Sequence, residues 1–224
     1  MRIKQRQSGF TLVEIAIVLV IIGLLLGGIL KGQEMITQAR IKNVINDFNG
    51  ITAAYASYQD RYRAIPGDDI GAAGRWTAPV PAVVSGNGNG QVEGPYNAPP
   101  VAPPGTGESN LFWWHMRLSG FIAGPTAGAG FANQPTNSVG GMVGVMTGDG
   151  TAGNMGFSGL IICSANLPDK IAIAVDTQTD DQGSSTGSVR GHLQLTGANP
   201  PIGAAALPNY AETGSNQYLV CKGV

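Results

Sequence analysis

From Phe10 to Leu30 the chain reads FTLVEIAIVLVIIGLLLGGIL, 21 residues that carry one charge, Glu14. As a helix such a run extends about 31 Å, the hydrocarbon thickness of a bilayer. A segment of this kind must be covered by lipid or by other protein, so it divides the chain into an anchor and a remainder. Arg2, Lys4 and Arg6 precede it in MRIKQRQSG, and a basic flank stays cytoplasmic while the rest is exported. Conventional signal cleavage fits poorly, because the apolar part of a secretory signal spans about 7 to 15 residues and ends at a small-residue site. Here the run continues through Gly27, Gly28, Ile29 and Leu30 to Lys31.

Glu14 is the informative residue, since a carboxylate in an apolar span is costly and is kept where it has a partner or a function. It falls in the first turns of the expected helix, where the helix dipole favours an anion. Ser8-Gly9-Phe10-Thr11-Leu12-Val13-Glu14 resembles the type IV prepilin cleavage and methylation motif. That family includes type IV pilins, type II secretion pseudopilins and competence pseudopilins. The resemblance implies cleavage between Gly9 and Phe10 by a membrane prepilin peptidase, N-methylation of the new Phe10 amine, and pairing of Glu14 with the amine of an adjacent subunit. Glu14 has a second reading, in which it pairs with its own Phe10 ammonium or reaches back to the interface. The partners implied are the peptidase, other pilin subunits in a homo- or heteropolymer, the inner-membrane assembly platform with its ATPase, and the membrane.

Beyond Lys31 the pattern becomes amphipathic, with Val44, Phe48, Ile51, Tyr55, Tyr58 and Tyr62 at alternating steps of four and three. This spacing predicts a helical stripe that packs on a core. No proline interrupts the chain between Phe10 and Ile65, so one helix of about fifty residues is expected. Gly23, Gly27, Gly28 and Gly32 are its weak points, suited to local melting or to close helix packing. The helix should end near Ala64, before Ile65-Pro66-Gly67-Asp68-Asp69. YRAIPGD resembles a helix-to-head junction in a subset of prepilin-like proteins, and Asp68 and Asp69 are expected as turn formers. The resulting organisation is a leader at 1–9, a transmembrane and polymerisation helix at 10–30, an amphipathic helix at 31–64 and an extracytoplasmic head at 65–224.

The head is rich in loops, in keeping with 34 Gly and 14 Pro in the chain and only 12% charged residues. Stretches 77–107 and 124–159 read as Gly/Pro-rich loops, with strand composition at Met142 to Met146 in the second. Glu108 to Phe121 has helical spacing, while Gly159–Ser164, Lys170–Val175, His192–Leu195 and Gln217–Cys221 have strand composition. The fold class is therefore α+β: the long helix on a mainly antiparallel sheet, a pilin-like arrangement by resemblance. Cys163 and Cys221 form one disulfide if the head lies outside the cytoplasm; the alternative is two buried free thiols.

Residues 64–224 hold five Lys or Arg against ten Asp or Glu, which offers no basic footprint for nucleic acid. Asp176, Asp180 and Asp181 supply three carboxylates within six residues, a ligand set for Ca2+ or the polar half of a hairpin or Asx turn. The stretch DTQTDDQGSSTGSVRG also resembles a pattern in heads of the pilin-like subset, with Gln182 interrupting its Asp-Asp-Gly. No other cofactor is indicated. His115 and His192 lack local metal-ligand companions and read as structural, and Trp113-Trp114 is expected to place one ring in the core and one at a rim. Motifs of hydrolases, zincins, P-loops and dithiol redox proteins are all missing.

A structural subunit of a type IV pilus or pilus-like fibre fits best. A type II secretion pseudopilin and a non-polymerising, membrane-anchored periplasmic binding module are the other readings. The place of action is the bacterial inner membrane, with the head in the periplasm, and then the cell surface or a periplasmic pseudopilus. Intact-mass analysis of the native protein should find a chain that begins at Phe10 and carries one N-methyl group; retention of residues 1–9 in a peptidase-competent cell would contradict the cut.

Overall fold

A computed structural model describes residues 11–99, 107–195, 197–202 and 209–224. The leader, with Gly9 and Phe10, and residues 100–106 of the 77–107 loop lie outside the described residues. The apolar run and the amphipathic stripe form one helix, α1 (Leu12–Tyr62), of 51 residues. It passes unbroken through Gly23, Gly27, Gly28 and Gly32, where an added Cβ would meet only open space. The helix stops at Tyr62, two residues before the expected end. Arg63 adopts a left-handed φ of 52°, which turns the backbone out of the helix before Pro66 can act.

The chain forms two compact units divided between Ala39 and Arg40. In the first, the large apolar side chains from Leu12 to Leu30 are exposed, and α1 is long and apolar enough to cross a membrane. In the second, Ile41, Val44, Phe48, Ile51, Ala54 and Tyr58 are buried, while Tyr55 and Tyr62 pack at the edge of the same core. The helical spacing of these residues made the stripe legible, and burial of each large side chain stabilises by about 1.5–3 kcal/mol.

After α1 come α2 (Ala72–Arg75), α3 (Glu108–Leu118), β1 (Val143–Asp149), β2 (Ser158–Pro168), α4 (Asp169–Thr179), β3 (Val189–Leu193) and β4 (Gln217–Gly223). The strands make an antiparallel sheet in the order β1-β2-β4-β3. Pleating sorts their side chains onto two faces. Val145, Ile162, Val189 and Val220 join the core shared with α1, α3 and α4. Ile161, Cys163, Leu219 and Cys221 face the other way, onto Tyr96 and Phe157.

Two expectations need correction. Lys170–Val175 is helical, within α4, and not a strand. Its apolar residues fit either period, but Ile171, Ala172, Val175 and Asp176 are the buried ones, a one-sided helical set, and Pro168 precedes the first turn where it ends the strand. Trp113 and Trp114 are both fully buried, so neither ring is at a rim. Trp113 belongs to the core under α1, and Trp114 packs on Phe131 in a separate cluster. The strand expected at His192–Leu195 begins three residues earlier, at Val189, and ends at Leu193.

Cys163 and Cys221 form a disulfide between directly paired positions of β2 and β4, with Cα atoms 4.0 Å apart. The bridge closes a separation of 58 residues. Replacing both cysteines by Ala should lower the unfolding free energy of the detergent-solubilised protein by about 2–4 kcal/mol, read from urea titration of the circular dichroism signal.

Candidate functional site

The start of α1 is closed by Thr11 and Glu14. The Thr11 N–H and hydroxyl each donate to Glu14 Oε2 at 2.8 Å, and the Glu14 N–H points back to Thr11 Oγ1 at 3.3 Å. This is a reciprocal capping box, with Thr11 at the N-cap and Glu14 three residues on. The pattern T-x-x-E in Thr11-Leu12-Val13-Glu14 is the local sequence signal for this cap, and it overlaps the prepilin-type motif at Glu14. The box occupies one carboxylate oxygen. Glu14 Oε1 has no hydrogen bond among the described residues, so the group retains an acceptor for an ammonium while it caps its own helix.

At the other end of α1, the junction acids do more than form a turn. Asp69 is 2% exposed. It accepts the Tyr58 hydroxyl at 2.6 Å and the Gly71 N–H at 2.7 Å, and it pairs with Arg75 at 2.5 Å. Burial opposes its charge, yet these donors hold its carboxyl below the usual range. Arg75 in turn lies over the Tyr62 ring, 4.2 Å from the centroid. Asp68 reaches forward instead: its Oδ1 accepts the N–H groups of Gly88 and Asn89, and its Oδ2 that of Gly90. Glu108 takes the N–H groups of Asn87 and Glu93. The Gly/Asn stretch 86–93 is thus wrapped around two buried carboxylates, and a Cβ on Gly86 would come within 2.3 Å of Asp68 Cα.

His115 is structural, as its lack of metal-ligand companions suggested. Its Nδ1 accepts the Gly67 N–H at 3.0 Å, which leaves Nε2 to donate to the Val84 carbonyl at 2.9 Å. Burial pushes its pKa down to about 4, against the pull of the Val84 carbonyl.

Asp176, Asp180 and Asp181 come together at the end of α4, and one oxygen from each lies within 4.8 Å of the others. That spacing could serve a hard cation, but the same groups already organise the turn. Asp176 accepts the Tyr210 hydroxyl and the Gln182 N–H, Asp180 accepts the Val189 N–H, and Asp181 accepts the Gly183 N–H and the Thr186 hydroxyl. The Asp181 pattern is an Asx turn. Burial, aided by the charges of Asp180 and Asp181, pushes the Asp176 carboxyl up to about 6.

Residues 4–30 match the family model of the prokaryotic N-terminal methylation motif, the type IV prepilin-type signature. No curated protein and no solved structure gives a match to this chain. The signature, on an apolar helix that leads into an α+β head, supports a type IV pilin- or pseudopilin-like precursor. The signature points to a structural subunit and not an enzyme. It implies processing by a prepilin peptidase and assembly with other pilin subunits.

The two titrations in the head oppose each other. The folded state holds His115 neutral, so that stability is full above the ordinary value of 6.5 and is lost as pH falls towards 4. The folded state holds Asp176 protonated, so its contribution is lost as pH rises from about 4 towards 6. Asp176→Asn removes the second effect. Its urea midpoint should fall more steeply than that of the wild type between pH 6.5 and pH 4.

Proposed function

We propose that the chain is a structural subunit of a type IV pilus or pilus-like fibre. It is made as a prepilin, cleaved after Gly9, N-methylated at Phe10 and polymerised through α1. Before assembly it is a single-pass inner-membrane protein, with its leader in the cytoplasm and residues 65–224 in the periplasm. The observation that carries this reading is the state of Glu14: a carboxylate within the apolar span, at the start of α1, with Oε1 unmet among the described residues and its helix surface uncovered.

The chemistry of assembly follows from that surface. Cleavage puts an ammonium at Phe10, one helical turn from Glu14. Methylation leaves that amine protonatable. Among packed helices of low dielectric an unpaired Glu14 is a defect, and an ammonium from an adjacent copy removes it while setting the register of the two helices. The leader, while attached, withholds the amine and so withholds the partner.

Glu14→Ala should leave the amount of protein in the inner membrane unchanged and reduce the sheared fibre fraction at least about tenfold, the size expected for loss of one strong charged contact. Unchanged incorporation into fibres would defeat the pairing role of Glu14, and absence of the wild-type chain from the fibre fraction would defeat the polymer reading. Scoring surface fibres against release of exoproteins in a deletion strain separates the pilus from the secretion pseudopilus.

A further inference from the structure

A cleft of about 310 Å³ opens beside α1, lined by Asp47 together with the apolar side chains of Ile51, Trp113, Phe121, Ile122 and Val143. Asp47 is half-buried there, and among the described residues it has no hydrogen-bond or ion-pair partner. Burial pushes its carboxyl above the ordinary range. The indole N–H of Trp113 is buried and also has no partner. A half-buried carboxylate over apolar walls is an incomplete arrangement, because a charge removed from water needs a counter-charge.

Its complement is on the same helix. Lys42 is exposed and has no partner among the described residues. It precedes Asp47 by five positions, which is about 140° around the helix and roughly 7.5 Å along it. The two side chains cannot meet within one copy, since helical neighbours are three or four apart. Arg40 is seven positions away, roughly 20° off the face that carries Asp47, and cannot serve as the opposite face of a repeating contact. Lys170, also exposed, lies on α4 and not on the helix through which subunits associate.

We propose that the cleft is a socket for Lys42 of a second copy of this chain. The four-carbon stem lies along Ile51, Phe121 and Ile122, and the ammonium meets Asp47. Because donor and acceptor occupy different faces of the subunit, the contact is heterologous and propagates into an open filament without closing into a dimer. This inference rests on the polymer reading and adds a second register-setting pair to it, on the amphipathic half of α1 instead of its apolar half.

The test uses the full chain in its own membrane. Copies bearing Lys42→Cys and copies bearing Asp47→Cys are expressed together and treated with a short bismaleimide, to which the bonded Cys163 and Cys221 are inert. A band at twice the subunit mass is expected when both variants are present and not with either alone. In parallel, Asp47→Lys and Lys42→Asp should each lower fibre yield about tenfold, and the two reversals combined should restore it; retention of the disulfide checks folding of each variant. No crosslink in the mixture, or no restoration by the double reversal, overturns the socket. If this happens while wild-type fibres form and Glu14→Ala abolishes them, the polymer reading stands without the socket. If the wild type makes no fibres and no crosslink, both fail.

Discussion

Two adjacent carboxylates turned into the protein at the end of α1 hold the head together. A buried anion must be met by donors, and Asp68 and Asp69 recruit theirs in opposite directions. Asp69 draws back on Tyr58, the Gly71 N–H and Arg75, which fastens the end of α1 to α2. Asp68 draws in the backbone of Gly88 to Gly90, and Glu108, at the start of α3, takes the same loop from the other side. His115 then ties Gly67 to Val84. A segment with almost no apolar side chains is given one conformation by charge-assisted hydrogen bonds to its backbone, where a hydrophobic core would ordinarily supply the restraint.

This network explains what could and could not be read from the residues. The stripe of α1 was legible because one period repeats over several turns, and β2 and β4 were legible as β-rich runs around the two cysteines. KIAIAV was not, since six residues satisfy a period of two and of 3.6 alike, and only Pro168 and the burial of Asp176 decide for a helix. The order in 86–93 was invisible for another reason: its partners, Asp68 and Glu108, lie about twenty residues away on either side, beyond any local pattern. Glu14 was found and its partner Thr11 was overlooked, although a capping box is a local signal.

The two halves of α1 meet their surroundings in different ways. The second half is specified by contacts with its own chain. Among the described residues the first buries nothing, and its glycines are not required by any neighbour there. Its apolar surface calls for cover from outside the chain, by lipid or by other helices, for which small residues permit close approach. The capping box gives that half a definite beginning at Thr11.

The order of strands has a consequence for when the head can form. β4 follows β3 in the chain but lies between β2 and β3, so β3 has no sheet neighbour, and β2 only β1, until residues 217–223 arrive. A chain that emerges N-terminus first would hold β1, β2 and β3 as an incomplete sheet until then. Oxidation of Cys163 waits for the same strand, since its partner is Cys221. Arrival of one short segment thus permits both closure of the sheet and its covalent lock, and a chain that still lacks it presents an open sheet edge.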